Sequence, residues 1–150
     1  MRVYLVIMDE SDEARKAMRY TSRRAQATDG AVNILALVQP QNFSAFGGVQ
    51  ATIEQEARDR AEVLASSAAG NLYSESGQMP SISVRVGEGQ AVIKEYLTDH
   101  PEVSELVLGA AAEGSPGPLI AHFATHSGGL PCPVTIVPGN FTNEDIDRVT

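Results

Sequence analysis

The residues best suited to chemistry lie in the last third of the chain. A short apolar stretch, Ser104 to Leu108, ends on Gly109. A loop of small residues follows, Ala110-Ala111-Ala112-Glu113-Gly114-Ser115-Pro116-Gly117-Pro118, and a helix opens at Leu119. Strand, small-residue loop and helix N-terminus is the layout with which open α/β sheets hold a phosphate-bearing ligand, because unsatisfied amides and the positive helix end point at it. Gly114 and Gly117 have two readings. They can cradle a phosphate through backbone amides, or form a tight turn that sets Pro118 at the first helical position; residue types alone favour the turn. Asp9, directly after an apolar run, can hold a ligand or act as the turn residue before a helix. Gly87 and Gly89 read more readily as a strand-to-helix turn than as a point of ligand approach.

Other reactive side chains carry less. His122 and His126 sit four apart on one helical face, as metal ligands can, but no further Cys or His lies near and no metal is assigned. The single cysteine, Cys132, is flanked by prolines at the start of an apolar strand and reads as an inert core thiol. One cysteine excludes an intrachain disulfide and suits a reducing compartment, so a cytoplasmic location is expected. Ser115 lies in Gly-Ser-Pro-Gly, which lacks the spacing of a nucleophile elbow. No catalytic residue is assigned, and the chain is not read as an enzyme.

Charge narrows the partners. The 150 residues carry 19 acidic and 11 basic side chains, a net charge of -8 with no basic run. Nucleic-acid binding needs Lys and Arg at phosphates, so it is not expected. No apolar run approaches the roughly 20 residues of a membrane span. Met1 to Met8 is too short for a secretory leader and runs directly into Asp9-Glu10, so it reads as a first strand.

The elements that must position these residues follow from periodicity. Val3–Met8 and Ala31–Val38 are continuous apolar runs of strand length, as in strands covered on both faces. Between them Ser11 caps a helix that runs to about Thr28, with Ala14, Ala17, Met18, Thr21 and Ala25 on one face, and Asp29-Gly30 ends it. A loop from Gln39 to Gly48 carries Phe43 and Phe46. A long helix follows from about Val49 to Ser74, with Val49, Ile53, Ala57, Ala61, Leu64, Ala68 and Leu72 as its apolar face. Ser81 to Val86 alternates as an edge strand does. A helix over Gln90 to Thr98 then buries Val92, Ile93, Tyr96 and Leu97. The strand 104–108, the helix from Leu119 to about His126 and a last strand between Pro133 and Pro138 complete a domain over residues 1–139. Residues 140–150 form a polar tail expected to fray. Five strands alternating with four helices predict an α/β fold, an open and mainly parallel five-stranded sheet with helices on both faces.

Read in order, these pieces resemble the universal stress protein family over essentially the whole chain. The opening is Val6-Ile7-Met8-Asp9-Glu10-Ser11-Asp12, the strand end is Val107-Leu108-Gly109, and the close is Pro131-Cys132-Pro133-Val134-Thr135-Ile136-Val137. The loop Ser115-Pro116-Gly117-Pro118-Leu119 is similar to a Gly-Pro-Gly-Pro-Leu variant common in alphaproteobacteria. The resemblance implies strand order 3-2-1-4-5, an adenine nucleotide alpha hydrolase-like fold, and a homodimer through Val134, Thr135, Ile136 and Val137. That last strand would otherwise be a bare sheet edge. It also implies an adenine nucleotide, ATP or AMP, with Mg²⁺ for a triphosphate. By position the nucleotide would meet Asp9, Leu37 with Val38, and Gly109 or Gly114 with Ser115 and Gly117.

The chain departs from the family's Gly-x2-Gly-x9-Gly-Ser/Thr loop. With nine residues intervening after Gly117, Ser127 and Gly128 follow, in reverse order. Counting back from Pro133 puts Ile120-Ala121 at the Gly-Ser position. No Lys or Arg occurs from Gly109 to Gly139, and Glu113 adds a negative charge. Adenosine or AMP therefore suits the loop better than ATP. Three functions follow: a nucleotide-binding regulatory protein; an interaction protein with a vestigial pocket, working through its dimer surface or the Phe43–Phe46 loop; and, third, a weak ATP hydrolase.

Overall fold

In a computed structural model the chain forms one five-stranded sheet in the order β3-β2-β1-β4-β5, every neighbouring pair parallel. The structure describes residues 1–40 and 47–150, with residues 47–50 as helical backbone only. The elements are β1 (Val3–Met8), α1 (Asp12–Thr28), β2 (Ala31–Val38), α2 (Gly47–Ser76), β3 (Ser81–Val86), α3 (Gly89–Asp99), β4 (Glu105–Gly109), α4 (Pro118–Thr125), β5 (Val134–Val137) and α5 (Asn143–Val149). The expected α/β fold and strand order are those observed. Phe43 and Phe46, offered as an interaction loop, lie outside the described residues.

Strand order decides which face each helix covers. From β1 to β2 to β3 the chain steps one way, and right-handed crossovers put α1 and α2 on one face. From β3 it jumps back past β1 to β4 and then β5, so α3 and α4 cover the other. The two cores match. Val6, Ile34, Ala36 and Val107 pack with Ala17, Ala65 and Ala69 on the first face, while Leu5, Leu35, Leu106 and Leu108 pack with Ile93, Tyr96 and Phe123 on the second. Because both faces of β1 are buried, its sequence shows no alternation.

Local signals act largely as expected. The Ser11 hydroxyl accepts from the Ala14 N–H at 3.2 Å and caps α1, with Asp12 and Glu13 in the first turn. At the other end Asp29, not Gly30, takes the left-handed conformation, at φ 53°. Gly30 is required for space instead: a Cβ there would stand 2.8 Å from the Arg2 carbonyl oxygen.

Two expectations are corrected. On α2 Leu72 is buried as expected, but the other buried positions are Ala65 and Ala69, one beyond the expected Leu64 and Ala68, which are only partly buried. Ala65 and Ala69 are as apolar as Ala68, so periodicity could not separate the neighbouring lines. The tail, expected to fray, is the helix α5. Thr142 and Asp145 form a reciprocal capping box, Ile146 is fully buried against α1, and Asp147 takes a bidentate pair from Arg19. None of the described helices is long and apolar enough to cross a membrane.

Candidate functional site

The strand order reverses between β1 and β4. Beyond their carboxyl ends the chain leaves β1 toward α1 on one face and leaves β4 toward α4 on the other. That divergence opens a crevice at the place where doubly wound sheets hold ligands. It measures about 400 Å³, and Asp9, Leu37, Gly89, Gly109, Gly117 and Leu119 are among its walls. This is within the range of small-molecule sites.

Asp9 stands at the mouth. One carboxylate oxygen, Oδ1, accepts from the Ser11 N–H at 2.8 Å and from the Ser11 hydroxyl. The other makes no hydrogen bond among the described residues, and the side chain is exposed. One carboxylate thus shapes the turn that starts α1 and keeps an acceptor for a ligand hydroxyl or amine. Two helix N-termini enter the same crevice, α3 at Gly89 and α4 at Pro118, and neither has a side-chain cap. The first-turn amides of α3 are orphan donors, as are those of Leu119 and Ile120 in α4, whose opening Pro118 has no N–H, and each helix end carries about half a positive charge. Against this, Asp9, Glu13 and Glu88 also line the crevice, and no Lys or Arg does among the described residues. The donor set fits one phosphate group; it holds nothing to neutralise three.

The expected site residues divide into three groups. Asp9, Leu37, Gly109 and Gly117 meet in the crevice. Val38 lies on its far side, in a second hollow with Asp9, Leu37 and Arg60, whose guanidinium stands 3.6 Å from Glu10. Gly114 and Ser115 are on the exposed outer turn and do not line the crevice. The glycines have different reasons for being there. Gly109 has no room for a side chain, since a Cβ would stand 2.1 Å from the Glu13 carbonyl oxygen; it lets α1 press onto β4. Gly114 at φ 72° and Gly117 at φ 116° lie in open space and are required by backbone conformation alone.

Sequence reasoning missed Glu13, Gln39, Glu88 and Leu119 as crevice residues, and set Gly89 aside as a turn. A Cβ on Gly89 would meet Leu119 at 3.0 Å and Leu37 at 3.2 Å, so this glycine keeps the space between α3 and α4 open. The signal was present: each of these residues follows the carboxyl end of a strand or opens a helix. His122 and His126 stack with ring centroids 4.5 Å apart on the surface, and no group of three metal-ligating side chains occurs among the described residues. Cys132 is half-buried against the second core rather than inside it, and burial pushes its thiol up from its ordinary value.

Residues 1–138 match the model of the universal stress protein family. The chain belongs to that family. Among solved structures it is similar to the universal stress protein UspA from Lactobacillus plantarum, with 22% identity and a TM-score of 0.79 over 91% of this chain and 97% of that one. It is also similar to a universal stress protein family protein from Arabidopsis thaliana with AMP bound, at 18% identity and a TM-score of 0.64 over 93% of each chain. A third is the universal stress protein from Archaeoglobus fulgidus in complex with dAMP, at 15% identity and a TM-score of 0.54 over 91% of this chain and 96% of that one. At these identities the likeness is one of fold. No curated protein matches the chain.

Proposed function

We propose that this universal stress protein is a regulatory protein that binds an adenine nucleotide between Asp9 and the Gly109–Pro118 loop, and that AMP or adenosine is held in preference to ATP. The observation that carries this reading is the crevice at the strand-order reversal, whose lining brings Asp9, with one oxygen unbonded among the described residues, together with two uncapped helix ends. Leu37 and Leu119 supply an apolar wall for a base, Asp9 an acceptor for ribose hydroxyls, and the amides of α3 or α4 donors for one phosphate. The preference follows from charge. Three carboxylates line the space with no cation among the described lining residues, so each added phosphate is disfavoured. ATP would need Mg²⁺ or another cation.

We read the phosphate loop as a degenerate form of the family's, of the Gly-Pro-Gly-Pro-Leu type common in alphaproteobacteria, since Ile120-Ala121 or the reversed Ser127-Gly128 replaces the Gly-Ser pair. No catalytic step is assigned. The working unit is a cytoplasmic homodimer joined along Val134, Thr135, Ile136 and Val137, where β5 ends the sheet and Ile136 is 42% exposed. The missing cations favour a second reading, a dimeric interaction protein whose pocket is vestigial.

A thermal-shift titration with adenosine, AMP and ATP, with and without Mg²⁺, separates the two. A ligand at 100 times its dissociation constant adds about 2.7 kcal/mol. That is about 5–10 °C for a chain of this size. The shift is expected with AMP and to be lost in Asp9→Asn, which keeps an acceptor oxygen toward Ser11. No shift with any ligand supports the vestigial pocket.

A further inference from the structure

On the first face of the sheet α1 and α2 lie side by side yet barely touch. Two cavities of about 330 and 280 Å³ occupy the gap and meet at Ser22, Leu72 and Glu75. The larger has an apolar floor of Met8, Met18, Leu64 and Leu72. Its α1 rim carries Arg15, Arg19 and Arg23, four residues apart and so on one side of the helix. Arg15 pairs with Asp12 at 3.0 Å, while Arg19 and Arg23 share the single carboxylate of Asp147, at 2.8 and 3.3 Å. With Glu75 also on this groove and acting on Arg19, three guanidiniums face three carboxylates, Asp12, Asp147 and Glu75. Only when Glu75 turns away do two guanidiniums on the one carboxylate of Asp147 leave a positive charge on the rim.

Ser22 lies between these arginines and is 7% exposed, yet its hydroxyl has no hydrogen-bond partner among the described residues. A mid-helix hydroxyl usually bonds back to the carbonyl four residues earlier, as Thr21 does here to Ala17. Leaving it unpaired costs the desolvation of the group with no return. Glu75 lines both cavities beside it. It is exposed and makes no hydrogen bond to the described residues, but its charge acts on Arg19, so a bound anion must displace it.

We propose that this groove binds an amphiphilic carboxylate of medium chain length. The alkyl chain lies over Met8, Met18 and Leu64, and the carboxylate meets Arg19 and Arg23 and accepts a hydrogen bond from the Ser22 hydroxyl once Glu75 moves. The span from Arg15 to Arg23 is about 12 Å of helix, the reach of a medium chain. The cationic rim selects an anion over a neutral or cationic amphiphile of the same length. The site is separate from the nucleotide crevice and does not rest on that reading.

Calorimetric titration of the full chain with decanoate, decanol and decylammonium tests it. Saturable one-to-one binding of decanoate is expected, with weaker binding of decanol and none of decylammonium. Ser22→Ala should weaken decanoate about tenfold, the loss of one hydrogen bond to a charged group. Glu75→Gln should tighten it several-fold by removing a like charge. Ala68→Trp should fill the groove and abolish binding. The proposal is overturned if decanoate does not saturate, if all three amphiphiles bind alike, or if Ala68→Trp leaves binding unchanged. Should Ala68→Trp not fold, a Glu75→Gln protein that binds no tighter overturns it instead.

Discussion

Gly109→Ala tests the claim that this glycine exists for packing. Its added Cβ would sit 2.1 Å from the carbonyl oxygen of Glu13 and 2.6 Å from that carbonyl carbon, where ordinary contact begins at 3.4 Å. The obstacle is backbone in the first turn of α1, so no rotamer change relieves it. The helix must lift from β4 by about 1 Å or more, opening the contacts of Ala14 and Ala17 with the core. Overpacking of this kind costs about 1–3 kcal/mol. With backbone on both sides we expect the upper end, near 3 kcal/mol, a fall in melting temperature of about 6–12 °C. Gly114→Ala is the control. Its Cβ meets nothing within 4 Å, and only the left-handed φ of 72° is strained, so a loss of about 1 kcal/mol is expected. Urea unfolding of both variants, with the slope checked for two-state behaviour, supplies the comparison. A Gly109→Ala protein within about 0.5 kcal/mol of wild type, or one no less stable than Gly114→Ala, would refute the packing argument.

Three further outcomes are expected. Ile146→Ala should lose about 2 kcal/mol, the low end for a fully buried side chain because a terminal helix can detach, with faster hydrogen exchange confined to α5. Acid should release the same helix. The Arg19 hydrogen bond, supported by the charges of Arg19 and Arg23, holds the Asp147 carboxyl below its ordinary 3.8, and the amide and hydroxyl of Thr142 do the same for Asp145. A lowered folded-state pKa means a stabilisation that is complete above about pH 4 and is lost as pH falls through the lowered values. Pepsin cleavage near residue 146 should therefore begin in that window, and Asp147→Asn should remove most of the pH dependence. On the proposed dimer, Ile136→Lys should give a monomer by light scattering where wild type gives twice the mass; a wild-type monomer at micromolar concentration sinks the dimer.

Much of the fold was legible because its signals are local. The apolar runs of β1 and β2, the cap at Ser11, the periodic face of α1 and the buried set Val92, Ile93, Tyr96 and Leu97 on α3 all depend on neighbours within a turn or two. The tail was misread for a related reason. Its capping residues, Thr142 and Asp145, were visible, but a seven-residue helix does not persist alone. What holds it is Ile146 in the core and Asp147 on Arg19, contacts across more than a hundred residues that no local pattern records.

The candidate site divides the same way. The sequence by itself determined that Asp9 follows a strand and that a glycine loop opens a helix after another. Tertiary structure decided what each glycine is for. Gly109 faces the backbone of α1, Gly89 faces Leu119 and Leu37, and Gly114 faces open space. A glycine required by a close neighbour and one required by its own dihedral angles read the same in a sequence. The distinction is a distance to atoms far along the chain. The α1–α2 groove is also a tertiary fact. The arginine spacing was written in α1, but whether a second helix closes over Ser22 or stands away from it depends on how two helices settle on one curved sheet.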